Sequence, residues 1–174
     1  MLGTEPMSDV QQLGPDRESD KPCEHVRVNE IVDDAKRLAT SAHKGQFDKS
    51  GQPYIGHPAR VAARTRNHGG DDDIEVVAWQ HDVVEDTPVT LEVIEKGFGP
   101  VIAQAVDAIT RRPDDSGDEY YHRVAGNEIS LAVKRADIED NLDPTRTAQL
   151  DPAIRERLAV KYAHALAVLD SGAN

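Results

Sequence analysis

From Ile31 to Leu169 the apolar residues recur at the interval of an α-helix, and no stretch shows the alternation of a half-buried strand. Ile31, Val32, Ala35, Leu38, Ala39 and Ala42 form one stripe and predict a helix over about 28–43. A polar loop leads to His57-Pro58, where proline suits the first position of a second helix that Gly69-Gly70 stops. Asp71-Asp72-Asp73 then offers a cap and negative charge at the start of a third helix. That helix puts Ile74, Val77, Ala78 and His81 on one face and ends at Thr87-Pro88. Thr90 caps a short helix ending at Gly97, and Pro100 opens another through Val101, Ile102, Ala105, Val106 and Ile109. After a polar loop at 111–118 come a short helix at 119–125, one at 128–142 capped by Asn127, and a last one opened by Asp151-Pro152. The expected fold is all-α, a compact multi-helix bundle in a single domain.

Composition agrees with this. Aromatic residues are only 4 % of the 174, so the core is expected to be built mainly from Ala, Val, Ile and Leu, which favours packed helices over a sheet. Residues 1–24 carry Gly, Pro, Ser and acids without periodicity, predicting a disordered leader ahead of a folded domain over 25–174. A net charge of −12 repels a long nucleic acid, since no Lys/Arg run is long enough to form a basic patch. A small phosphorylated ligand remains compatible if a metal and a few cations sit in its pocket. One cysteine, Cys23, cannot form an internal disulfide, and no apolar run approaches the ~20 residues of a membrane span, so a cytoplasmic protein free of the membrane is expected. A homo-oligomer is left open.

The segment richest in chemistry is Trp79 to Thr87, WQHDVVEDT. His81 and Glu85 are i and i+4 helical neighbours, as are Asp82 and Asp86, so four polar groups project from the last turns toward one region. Carboxylates and imidazoles buried at that density need a cation or strong partners. PYIGHP supplies His57 at a helix start, and KRADIEDN supplies Asp137 next to the apolar Ala136. Two His and two Asp suit a single divalent ion, Mn²⁺ or Fe²⁺ before Zn²⁺. His25, His68, His122 and His164 are expected to be ordinary packing or surface residues, and His43 to stand behind the site. The acidic loop Asp114–Asp118 lacks the full spacing of a calcium loop.

The order His, His-Asp, Asp resembles the HD metal-dependent phosphohydrolases. AHKGQFDKSGQPYIGHP (42–58), HDVVEDT (81–87), FG (98–99), AIT (108–110) and KRADIEDN (134–141) resemble, in order, the hydrolase domain of RelA/SpoT-type alarmone enzymes and their stand-alone small relatives. The resemblance covers about residues 28–169 and does not extend to a synthetase half. It implies an HD-domain bundle in which His57, His81, Asp82 and Asp137 hold the metal. It also implies that Glu85 and Asp86 position and deprotonate the attacking water, that Lys49 and Ser50 lie beside the substrate, and that Asn141 holds a nucleotide's sugar or base. The implied reaction removes pyrophosphate from the 3′ position of guanosine 3′,5′-bis(diphosphate), ppGpp, with Mn²⁺, a reaction of the stringent response. Lys49, with Arg135 or Lys134, is expected to offset phosphate charge.

Where the family's loop usually has two basic residues, the first stacked on guanine, this chain has Asp48-Lys49. Asp48 cannot stack in that way, and the loss of stacking worth roughly 1–3 kcal/mol predicts weaker base selection. Two alternatives follow: an HD-type phosphatase for another nucleotide (NADPH 2′-phosphate, a dNTP or a nucleoside monophosphate), or a nucleotide sensor without catalysis.

Overall fold

The computed structural model describes residues 24–48 and 50–172, so the expected leader lies, apart from Glu24, outside the described residues, as does Lys49. The described chain is helical: α1 (Glu24–Ala42), α2 (Gly56–Asn67), α3 (Asp72–Gln80), α4 (Val83–Asp86), α5 (Leu91–Ile109), α6 (Gly117–Ala125), α7 (Glu128–Asn141), α8 (Pro144–Thr147) and α9 (Pro152–Gly172). Its extended pairing, among the described residues, is one isolated antiparallel bridge between Phe47 and Pro53. No described helix is long and apolar enough to cross a membrane.

Most helix starts are chemically specified. Asp71 accepts from the Ile74 N–H, and Asn127 from the Ser130 N–H. Ser116 and Glu119 form a reciprocal capping box, which begins α6 two residues before the expected position. Thr90 occupies the N-cap of α5 but makes no side-chain capping bond. Pro58 stands at the third position of α2, not the first, because the turn through Ile55 starts the helix at Gly56; proline is tolerated there since the first turn's N–H groups lack intrahelical partners. The two helices expected across Gly97–Pro100 form one bent element, α5, broken at Gly99 by a φ of 85°.

The third helix is not continuous to Thr87. It stops at Gln80, turns through His81-Asp82, and resumes as α4. Helix α8 has no counterpart among the expected elements; Asp143 caps it and Pro144 takes its first position.

Two apolar clusters stand side by side. Apart from Trp79, the buried residues of the larger are aliphatic as expected, and it joins α1, α2, α3, α5 and α7 through residues such as Ala35, Val61, Val77, Val106 and Ala136. The smaller departs from expectation: Tyr120, Tyr121 and Tyr162 pack with Val124, Ile138 and Leu169 between α6, α7 and α9. Helix α7 belongs to both, Ala136 facing one cluster and Ile138 the other. The residue between them is Asp137, and there the site lies.

Candidate metal centre and catalytic cavity

Three elements converge beside Asp137. His57 comes from the start of α2, His81 and Asp82 from the turn between α3 and α4, and Asp137 from α7. Neighbouring positions on an unbroken helix project about 100° apart, but the turn lets His81 and Asp82 meet, with Nε2 and Oδ2 3.0 Å apart. His57 Nε2 lies 3.1 Å from Asp137 Oδ1, 3.3 Å from His81 Nε2 and 3.7 Å from Asp82 Oδ2. The ligand atoms of His57, His81 and Asp137 all fall within 4.8 Å of one another, a cluster able to hold a metal ion.

The outer nitrogens settle the chemistry of the inner ones. His81 Nδ1 lies 2.8 Å from the Ala78 carbonyl, which can only accept, so Nδ1 carries the hydrogen. His57 Nδ1 donates to Asp140 Oδ2 at 2.9 Å. In the neutral rings both Nε2 atoms therefore present lone pairs, 3.3 Å apart and facing carboxylate oxygens. Only a cation relieves that repulsion. In the metal-free protein a proton serves: burial lowers the His57 pKa, but hydrogen bonds to Asp137 and Asp140 outweigh it and push it up to about 9. Burial opposes ionisation of Asp137 too, and the Lys134 ammonium and the two imidazoles outweigh it, holding that carboxyl well below the usual range. The donor set fits a divalent ion.

A layer of side chains fixes these groups. The Tyr54 hydroxyl donates to Asp82 Oδ2 at 2.6 Å, and Lys134 Nζ donates to Asp137 Oδ2 at 2.8 Å. Asn141 Nδ2 donates to both Oδ1 and the backbone oxygen of Asp137, so this expected substrate contact is engaged in orienting one of the expected ligands. Asp140, wholly buried, accepts from His57, from Arg60 at 2.9 Å and from Arg146. Sequence reasoning passed over Asp140 although it stands one turn beyond Asp137, the one available signal.

Above this floor opens a cavity of about 590 Å³, lined among others by His57, Asp82, Glu85, Asp86, Asp137 and Asn141. The expected catalytic pair therefore borders the same space as three of the expected ligands. Glu85 Oε2 accepts from the Arg111 backbone N–H at 2.9 Å, and the Asp86 carbonyl accepts from Gln46 Nε2 at 2.9 Å. Burial raises the pKa of both carboxyls, and the charge of Asp82 adds to it. The broken helix keeps the i to i+4 relation of Asp82 and Asp86 through a backbone hydrogen bond of 2.9 Å.

Ser50 also lines the cavity. Arg135 does not: it pairs with Asp170 at 2.7 Å on another face, so it is removed from the groups expected to offset phosphate charge. The described cations near the site are Arg146 and Lys161 on the cavity wall, with Lys134 and Arg111 in an adjoining chamber of about 110 Å³ bordered by Tyr120, Tyr121 and Tyr162. Arg111 and Lys161 carried no signal in the sequence, because a loop and a distant helix bring them there. His43 is buried behind Tyr54, its Nδ1 2.7 Å from Gln46 Oε1. His68 and His164 are exposed and face Glu139 and Asp118.

Residues 35–128, more than half of the chain, match the family model of the HD domain. The guanosine-3′,5′-bis(diphosphate) 3′-pyrophosphohydrolase of Haemophilus influenzae is 42 % identical over 74 residues, 42 % of this chain and 11 % of that one. The protein of the same name from Aquifex aeolicus is 27 % identical over 147 residues, 81 % of this chain and 21 % of that one. The chain thus spans about a tenth to a fifth of the length of these curated relatives. Among solved structures, a metazoan orthologue of SpoT, described as hydrolysing ppGpp, superposes with a TM-score of 0.69 at 23 % identity, covering 80 % of this chain and 85 % of that one. That likeness shows the shared helical fold. With the family model spanning most of the cluster and the His57, His81, Asp82 and Asp137 side chains gathered in one place, this chain belongs to the HD-domain family.

Proposed function

We propose that the chain is a divalent-metal-dependent phosphohydrolase that removes pyrophosphate from the 3′ position of ppGpp or its 5′-triphosphate analogue, leaving GDP or GTP. The observation that carries this reading is the pair of imidazole lone pairs facing each other at 3.3 Å on the floor of a cavity that Glu85 and Asp86 also line. The named activity of the relatives supports the substrate.

His57, His81, Asp82 and Asp137 would hold a divalent ion, Mn²⁺ on this mixed imidazole and carboxylate donor set, which would supply Lewis-acid polarisation and a lowered pKa for bound water. The chain's own residues do the rest. Glu85, with its pKa raised by burial, takes the proton of the attacking water; the Arg111 N–H fixes one of its oxygens and leaves the other for that water. Asp86 orients the water. The water oxygen joins the phosphorus attached to O3′, the P–O3′ bond breaks, and O3′ regains a proton to become the 3′-hydroxyl. Arg146, Lys161 and Arg111 offset the phosphate charge. Ser50 contacts the substrate from the loop before α2. A nucleotide substrate puts this work in the cytoplasm.

One assay tests class and substrate together. Protein stripped by a chelator and reloaded with Mn²⁺ is incubated with a panel of phosphorylated nucleotides, and products are separated by liquid chromatography. GDP plus pyrophosphate from ppGpp is the expected result. Failure on every 3′-phosphorylated guanosine compound, with success elsewhere, retires the substrate; full turnover by the metal-stripped protein retires the class. A second reading, release of orthophosphate from another nucleotide such as NADPH, is favoured by Asp48, whose carboxylate is engaged in closing its own loop. The same chromatogram distinguishes it.

A further inference from the structure

We propose that Phe47 is the stacking platform for the substrate's nucleobase and that the site consequently accepts adenine as readily as guanine. This inference rests on the nucleotide reading above and specifies how that site treats the base.

Phe47, Val93, Val101, Ile154 and Val160 are the exposed large apolar side chains among the described residues. Exposed apolar residues scattered singly are ordinary. Phe47 is different because it alone of the five lines the cavity of the metal centre. It is 66 % exposed and joins neither apolar cluster. An aromatic side chain open to water on the wall of that cavity is suited to a flat, apolar ligand surface.

The ring is carried on a fixed ribbon. Phe47 pairs with Pro53, the Asp48 N–H donates to the Gln52 carbonyl at 2.8 Å, and the Tyr54 N–H donates to the Gln46 carbonyl at 3.0 Å. Asp48 Oδ1 accepts from the N–H groups of Ser50 and Gln52, and Gly51 turns the ribbon with a φ of 76°. Gln46 ties the ribbon to the Asp86 carbonyl, so the platform and the catalytic turn are joined. The backbone that carries the ring therefore has little freedom left to lose when a base stacks. The cavity's other apolar wall comes from Leu150 and Leu158.

Base tolerance follows from the hydrogen bonds already made. Asp48 and Asn141 line the cavity and have the chemistry to read a purine edge. Asp48 gives one oxygen to two backbone amides of its own loop, and Asn141 gives its amide N–H groups to Asp137. The second oxygen of Asp48 and the amide oxygen of Asn141 can only accept, and guanine and adenine both carry N–H donors for them, so the base is held chiefly by stacking, for which every base has a π-face.

The test uses the full Mn²⁺-loaded chain and steady-state kinetics on guanosine and adenosine 3′,5′-bis(diphosphate). The two kcat/KM values are expected within about tenfold of each other, and Phe47→Ala is expected to raise KM for both by roughly ten- to a hundredfold at nearly constant kcat. Phe47→Tyr should restore the low KM, and Val101→Ala should change neither parameter. An unchanged KM in Phe47→Ala, a rise for one base only, or a wild-type preference for guanine above about a hundredfold overturns the inference while leaving the hydrolase reading in place. If the wild type turns over neither compound, the hydrolase reading has failed, and Phe47→Trp still tests the platform by fluorescence. Quenching by added GDP and ADP supports it, and no quenching overturns it.

Discussion

At Asp140 a single carboxylate without water contact receives the His57 imidazole and two arginines, Arg60 and Arg146. The consequence is a fixed tautomer: while Asp140 accepts at Nδ1, Nε2 of His57 stays available to a metal. Asp140→Asn keeps the shape but removes the charge, and metal affinity is expected to fall about 10–100-fold in a calorimetric Mn²⁺ titration. Glu85 makes a different prediction. Its carboxyl is raised by burial and by Asp82 and Asp86, so it ionises above the ordinary glutamate value of about 4.3. A base works only when ionised; activity should therefore be lost as pH falls through that raised value, giving an acidic limb in kcat/KM displaced upward. Glu85→Gln should abolish the limb and lower kcat by about 10²–10⁴. A limb that persists unchanged in the variant would assign the base elsewhere.

The loop after α5 reaches the proposed catalytic pair through its backbone. Arg123 on α6 makes two hydrogen bonds to Asp115 and donates to the carbonyls of Ala108 and Thr110, clamping the stretch whose Arg111 N–H holds Glu85. Arg123→Gln should lower kcat more than it changes KM, and in the Glu85→Gln background it should cost almost nothing further. Full additivity in that double-mutant cycle would mean that Arg123 acts only on stability. The bend in α5 is a second element-level device. Gly99 occupies the left-handed region, and no atom beyond its own stretch of chain lies within 4 Å of the place a Cβ would take, so Gly99→Ala tests backbone strain. A loss of about 1–2 kcal/mol is expected in urea unfolding, without a change in kcat.

At the scale of the molecule, the proposed metal ligands come from α2, the α3–α4 turn and α7, and α7 also joins the two apolar clusters. An ion bound there ties together elements that are distant in sequence and binds the folded state alone. Metal at about a hundred times its Kd adds roughly 2.7 kcal/mol, so chelation should lower Tm by roughly 5–10 °C in a chain of this size. An unchanged Tm on chelation, with metal binding shown independently, would mean that the ion binds the unfolded chain as well as the folded one and so is not held between elements.

The apolar period was legible from the sequence because each helix buries one face, and burial repeats every 3.6 residues whatever the partner. That His57, His81, Asp82 and Asp137 gather in one place was legible because their motifs stand in a fixed order; His57, Asp82 and Asp137 border one cavity, with His81 beside them. The break at His81-Asp82 was not, since the local pattern through Val83 and Val84 is as helical as what precedes it. Nor could spacing reveal that Asp140 backs His57 across 83 residues, that Arg111 holds Glu85, or that Arg135 faces Asp170 instead of a phosphate. Local hydrogen bonding and side-chain burial are written in the order of residues. Which distant donor meets which acceptor depends on how the helices pack against one another, and only the folded chain decides that.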